Sequence, residues 1–544
     1  MSTHRSVAPD KPFFLYFAPG AVHAPHHVPE AYRDRFAGQF DQGWDAVREE
    51  TLARQITLGL VPEGTGLTER PGGIPAWDTL SADERRAFAR MQEIFAAYVS
   101  HTDDQVGKLL AGLEKLGITE DTLVLLIVGD NGPSPEGGPT GTINDTASMN
   151  GVPDSLEHIL PHLDELGSRL HDNHYPIGWA HAGSAPFQWM KQVASHFGGT
   201  RNLALLRWPG HIEPGLRTQF HHVIDVAPTL LEAAGIQAPT HVDGVEQMPL
   251  DGIAMGYLFA DVQAGERRTT QYFEHGGNRA IYHEGWIASA SHGVPWQLSG
   301  SKGDFDADTW ELYDLSSDFS QARDLAAEHP DRLAQLKDLF ETEAWKYNVY
   351  PLDDRFAERA IDPLRPSLVR GLTRFTYRAG TTRVTEGVAP PVKNVSHRIT
   401  ARITVPDGGA SGVIVAHGGR TGGYTLYLDD GVPVYHYNFF GKARYEVRGP
   451  RALPAGAATV AIEFLADHDH QPGTGGIVRL AVDNQTVAEG RVEHSIPARF
   501  SPTETFDIGS DLGGPVCDTY TSPFDFVGTI TDVTVELTGA TPPS

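Results

Sequence analysis

The chain is expected to fold as an α/β domain around a mostly parallel sheet, followed by a small α+β region and a C-terminal β-sandwich. Three observations carry this. Continuous apolar runs alternate with helix-period segments up to about residue 365, the pattern of strands covered on both faces by helices. Helix periodicity nearly vanishes from about 368. From there, short strand-like runs recur between turn pairs such as Asp430-Gly431 and Asp483-Asn484, as in a sandwich. The expected boundaries are 1–255, 256–365 and 366–544.

Phe13 to Phe17 is an unbroken apolar run and is expected to be a buried strand. A helix is expected over about 82–116. Ser81 and Glu84 have capping-box spacing, Phe88, Met91, Phe95, Tyr98 and Val99 recur at three- and four-residue steps, and Gly117 supplies the stop. Leu123 to Val128 is a second buried strand, and Leu203 to Leu206 a third. His222 to Ala234 is a helix ended by Gly235. The region 256–365 carries short strands and a helix near 329–346. Beyond the boundary, the runs beginning at Val413, Tyr424, Val434, Thr459, Val478 and Thr531 are the sandwich strands.

The chain has 544 residues, enough for full-sized cores. Its 43 basic and 70 acidic residues leave a net charge of −27, which argues against a nucleic-acid or anionic-membrane partner. The single cysteine, Cys517, excludes an intrachain disulfide and any zinc site of two thiolates. The N-terminus shows no signal-peptide apolar region, and no run is long enough to span a bilayer. The expected location is cytoplasmic.

Three places invite chemistry. His23, His26 and His27 lie within five residues, braced by Pro25 and Pro29. They suit either an anion or metal site or a polar loop, and clustering alone does not choose. Asp130-Asn131-Gly132 follows a strand at the end where α/β sheets bind ligands. Its oxygens suit calcium or magnesium better than zinc, although Asp-Asn-Gly is also a common turn. Lys191 lies among aromatics and glycines, as an anion-capping lysine or an ordinary exposed one.

The order of these pieces resembles the arylsulfatase family of the alkaline-phosphatase-like superfamily. It comprises Ala24-Pro25-His26-x-x-Pro29, Asp130-Asn131-Gly132-x-Ser134-x-Glu136-Gly137-Gly138, Lys191 followed by Gly198-Gly199, and Trp208-Pro209. The resemblance extends through Val223 to Leu230, Trp310 to Leu315 and Pro351 to Asp354. The stretch from Pro153 to Pro176 is similar to the bacterial subgroup with a C-terminal sandwich. The resemblance implies a calcium-dependent sulfuric ester hydrolase acting on a small-molecule sulfate monoester. Asp130 and Asn131 would be calcium ligands. His26 would act near the leaving-group oxygen, and Lys191 would hold the sulfate.

One departure stands out. The family's nucleophile is a Cys or Ser of Cys/Ser-x-Pro-x-Arg, oxidised to formylglycine. It lies upstream of the strand matching Phe13 to Phe17, as do two Asp metal ligands and a further Lys and His. Only twelve residues precede that strand here. Ser184-Ala185-Pro186-Phe187-Gln188 lacks the Arg, and the surroundings of Cys517 fail at every other position. The expectation is therefore an N-terminally truncated chain, with an incomplete calcium ligand set and no formylglycine, inactive alone. Unpaired strand edges and exposed apolar surface should follow. Alternatives are a phosphoester or phosphonate hydrolase of the same superfamily, or a non-catalytic remnant with a carbohydrate- or partner-binding sandwich.

That sandwich resembles lectin-like accessory domains. Tyr424, Tyr427, Tyr435, Tyr437 and Phe439 offer a carbohydrate-binding face. Alternation along a strand, however, sends half of such residues into the core.

Overall fold

In the computed structural model, the described residues are 1–297, 300, 302–355, 358–360 and 364–539. They form two compact units. One comprises Met1–Gly141 and Tyr175–Ala360; the other comprises Thr142–His174 and Ile361–Ser544.

The first unit is α/β. Its long helix, Ala82–Lys115, begins with the expected capping box: Glu84 N–H donates to Ser81 Oγ, and Ser81 N–H to the Glu84 carboxylate. It ends before Gly117, which takes the left-handed φ of +66°. Ala87, Phe88, Met91, Ile94 and Ala97 form its buried stripe. A helix not foreseen in the sequence, Gly43–Thr57, places Trp44 against Trp77, Phe88 and Trp179, with ring centroids 4.8–6.0 Å apart. This aromatic cluster is the core around the long helix.

The strands of this unit depart from expectation. Val124–Val128 and Leu203–Arg207 are strands as expected, but they pair antiparallel. No mostly parallel sheet is seen among the described residues. Phe13 to Phe17 forms no strand, and Phe14 and Tyr16 are 77% and 82% exposed. Val128 and Leu205 are also about half exposed. An apolar run becomes a buried strand only when neighbours take its backbone hydrogen bonds and layers cover both faces. The described residues supply neither for 13–17.

The same unit carries a four-stranded antiparallel sheet in the order Thr270–His275, Asn278–His283, Trp286–Ala290, Trp310–Asp314. One face packs Ile281, Ala288 and Leu312 on Leu336, Phe340 and Ala344 of the helix Pro330–Lys346. The other face packs Ala280, Ile287 and Tyr313 on Phe187 and Phe197. Asp225, fully buried, is clamped by Arg268 and His221 and accepts Ile253 N–H at 2.7 Å. This pins the start of the helix Val226–Ala233, which gives the segment Val223 to Leu230 a structural purpose.

The second unit is an all-β sandwich. Its sheets are six-stranded (485–492, 476–482, 456–466, 397–405, 529–537, 374–377) and five-stranded (443–448, 432–439, 422–429, 412–419, 506–508). Ile399, Ile403, Ile414, Leu426, Tyr435, Ile462 and Val533 fill the core between them. All five aromatics considered for a sugar face are buried. Tyr424, Tyr435, Tyr437 and Phe439 join the inner core, while Tyr427 packs under Val516, Cys517 and Tyr520 on the sheet's other face. Covering both faces removes the inside–outside distinction that the alternation argument needs. Cys517 is buried in that small outer cluster, and burial raises its thiol pKa.

Candidate functional site

The loop after the strand Val124–Val128 turns through Gly129, at φ +79°, and delivers Asp130 and Asn131. Gly132 then passes so close to the Lys191 segment that a Cβ would sit 1.9 Å from the carbonyl oxygen of Gly198. Gly132 N–H donates to Gly199 O at 2.9 Å, and Lys191 N–H to Pro133 O at 3.1 Å. Gly132 thus leaves room for two backbones to zip together, while a Cβ on Gly198 or Gly199 would collide with the carbonyl oxygens of Gln188 and Val193 within the Lys191 segment itself.

Lys191 itself is held in an unusual stretch. Trp189 and Gln192 adopt positive φ values of 66° and 79°, which cost about 1 kcal/mol or more each for such residues. Packing overrides that cost. Phe187 and Phe197 anchor the segment on the four-stranded sheet. Buried Arg48 donates to the carbonyls of His181, Phe187 and Thr68 at 2.8, 3.3 and 3.1 Å.

The side chains converge on Glu136. Its Oε1 lies 3.0 Å and its Oε2 3.1 Å from Lys191 Nζ. His23 Nε2 is 3.4 Å from Glu136 Oε2 and 3.1 Å from Lys191 Nζ. Ser134 Oγ donates to Glu136 Oε2 at 3.0 Å. Burial works to raise the Glu136 pKa, yet the hydrogen bonds and charges of His23, Lys191 and Ser134 outweigh it and hold the carboxyl well below its usual range. The His23 pKa is raised, first by its hydrogen bond to Glu136, against the opposing effects of burial and the Lys191 charge.

The four residues singled out from sequence fall in different settings. Lys191 is part of this constellation. Asp130 is exposed at the loop's start and Asn131 is partly buried beside it. With its amide turned to satisfy both groups, Asn202 bonds the backbone N–H and C=O of Asn131 at 3.0 Å each. His26 is 1% exposed, its ring 5.0 Å from Phe95 and 5.2 Å from Tyr175. The histidine that meets Lys191 is His23. His23 and Glu136 had no role assigned from sequence; His23-x-Pro25 and the Glu-Gly-Gly run were the available signals.

The oxygen donors of Asp130 and Asn131 have the right chemistry for calcium, which takes six to eight oxygens. They would supply two. Among the described residues, no cluster of three carboxylate or imidazole ligands includes Asp130.

Comparison with known proteins finds relatives of the chain. A sulfatase family model matches residues 5–236, and a model of the N-sulphoglucosamine sulphohydrolase C-terminal region matches 189–344. The chain belongs to the sulfatase family. Among its relatives is an uncharacterized sulfatase of Schizosaccharomyces pombe, 26% identical over 381 residues, covering 65% of this chain and 62% of that protein. An arylsulfatase of Klebsiella aerogenes is 26% identical over 255 residues, covering 47% and 53%. This sulfatase chain therefore spans less than two thirds of either relative. The solved structure of Ps i-CgsB aligns with a TM-score of 0.39 and 17% identity, over 66% of this chain and 55% of that one. Among the described residues of the sulfatase chain, no helix is long and apolar enough to cross a membrane.

Proposed function

We propose that this sulfatase chain contributes the leaving-group side of a sulfuric ester hydrolase site for sulfate monoesters. The observation that carries the reading is the mutual contact of His23, Glu136 and Lys191 beside the Asp130–Asn131 loop. Breaking the S–O bond of a sulfate monoester builds negative charge on the departing oxygen. The Lys191 ammonium can stabilise that charge, and a protonated His23 can donate to the oxygen. Glu136 serves both. It orients the Lys191 ammonium, and its hydrogen bond favours the protonated form of His23. The role near the leaving group, implied for His26 by resemblance, is accordingly assigned to His23. Asp130 and Asn131 would contribute oxygen ligands to a calcium ion, which would supply positive charge at the sulfate. His26, packed among aromatics, would brace the loop that presents His23.

The test separates binding from turnover. Adding p-nitrocatechol sulfate should shift the His23 ring resonances in a 1H–15N spectrum, and Lys191→Ala should abolish the shift. An unchanged His23 spectrum at saturating ester would overturn the assignment. The one Cys/Ser-x-Pro-x-Arg sequence in the chain is Ser495-Ile496-Pro497-Ala498-Arg499. It belongs to the sandwich unit, and the Ser495 hydroxyl is buried and bonded to the Asn394 side chain and to Thr474 O. The chain should therefore not turn over p-nitrophenyl sulfate on its own, with or without calcium. Turnover that Lys191→Ala abolishes would refute the need for a nucleophile beyond the residues of this chain.

A further inference from the structure

A second group of ligand-type side chains lies in the segment Thr142–His174, which clusters with the sandwich. His162 and Glu165 sit on the 3-10 helix Leu160–Glu165. Residues three apart eclipse one another in that helix, so the two side chains stand on one face. The chain then turns back and brings in His171. His162 Nδ1 lies 2.9 Å from Glu165 Oε2, and His171 Nε2 lies 2.6 Å from the same oxygen. The two imidazole centroids are 4.6 Å apart. Among the described residues, this is the one group of three His, Cys, Asp or Glu side chains whose ligand atoms all fall within 4.8 Å of one another.

The supporting backbone is well held. Ile159, Leu163 and Leu166 are buried. Gly167 N–H donates to the side chain of buried Asn173 at 2.9 Å, and Asp145 N–H donates to Asp172 O at 2.9 Å. The ligand side chains remain reachable: the side chains of His162 and Glu165 are 35% and 45% exposed. Nearby, His158 Nε2 lies 3.7 Å from Asp154 Oδ1, an oxygen that Lys442 Nζ also engages.

We propose that His162 Nδ1, Glu165 Oε2 and His171 Nε2 form a site for a divalent transition-metal ion of the zinc class, separate from the oxygen donors Asp130 and Asn131. Two imidazoles and one carboxylate are a borderline nitrogen–oxygen set, suited to zinc and its neighbours rather than to calcium or magnesium. A tetrahedral ion about 2.0–2.2 Å from each atom sets ligand atoms roughly 3.4 Å apart. Both short pairs open to that spacing by rotation of partly exposed side chains. The fourth position faces solvent and takes water. Bound there, the ion ties the 3-10 helix to the returning loop and stabilises this segment.

The experiment uses the full 544-residue chain, stripped with EDTA and dialysed. Titration with zinc chloride, followed by calorimetry and metal analysis, should show one bound equivalent and a rise in melting temperature. His162→Ala and His171→Ala should each weaken binding by at least about tenfold, as loss of a ligand from a three-residue set does. His171 is the more buried of the two, so Glu165→Gln, at an exposed position, serves as a variant that keeps the fold. Substituted cobalt should give a visible d–d band in the parent chain that is lost in Glu165→Gln. Absence of zinc binding in the parent, or binding and spectra unchanged in all three variants, would overturn the proposal and leave the group a hydrogen-bonded triad.

Discussion

The runs Val413–Ala416, within the strand Gly412–Gly419, and Val124–Val128 are both wholly apolar, yet they meet opposite fates. Every residue of the first is buried, with sheet neighbours on both edges and a layer on each face. The second is paired only with Leu203–Arg207, and its last two residues are exposed. Apolar content therefore does not make a core. A strand becomes core when partners satisfy its backbone and cover its side chains.

This contrast yields its largest expected effect in the two cores. Leu426→Ala and Ile414→Ala in the sandwich should each cost about 2–5 kcal/mol in urea unfolding, through lost burial and the cavity left behind. Leu205→Ala should cost less than about 0.5 kcal/mol, as exposed substitutions do. Equal losses at the two places would break the comparison. The open strands should also make the chain self-associate, visible as concentration-dependent mass in light scattering. Leu205→Lys should reduce that association. A parent chain that is strictly monomeric at high concentration would count against the exposed face.

A second expectation concerns a buried acid in the closed region. Burial raises Asp511 to about 6, although Tyr520 Oη donates to it at 2.6 Å. The folded pKa lies above the unfolded value of 3.8. Its contribution to stability is therefore complete below pH 3.8 and is lost as pH rises through 6. Two pKa units correspond to about 3 kcal/mol. Asp511→Asn should flatten the pH dependence of sandwich stability between pH 4 and 6, measured as the urea midpoint.

The open site should respond more gently. His23 should titrate above 6.5 because Glu136 favours its charged form, and Glu136→Gln should bring its midpoint down, as read by NMR. With a raised folded pKa, the stability it contributes is present below pH 6.5 and disappears as pH rises through the folded value. The His23 side chain is half exposed, so solvent screening keeps that contribution small. The smallest effect is chemical. Cys517, buried under the outer face of the five-stranded sheet, should resist a thiol reagent in the native chain and react fully in denaturant. Rapid native reaction would show that this outer layer opens.

Much of the chain was legible where the determining interactions are local. The Ser81–Glu84 box and Gly117 set both ends of the long helix, because capping is settled within one turn. Turn pairs at Asp430-Gly431 and Asp483-Asn484 marked real hairpins. The helix Gly43–Thr57 was missed because its packing face is little more than Trp44 and a buried arginine, a pattern that apolar periodicity does not register. At the site, three histidines within five residues were visible, but which one faces Lys191 depends on how a proline-braced loop folds back.

Residue order alone was sufficient for the family resemblance, the two contrasting regions, the motif glycines and the lone cysteine outside a nucleophile motif. These follow from residue type and short spacing, which survive any tertiary arrangement. Tertiary structure decided the rest: that His23 rather than His26 meets Lys191, that Glu136 joins them, and that all five sandwich aromatics turn inward. It also decided that equally apolar runs end either buried or exposed. Those outcomes depend on what approaches each side chain through space from distant parts of the chain, and spacing along the sequence carries no such information.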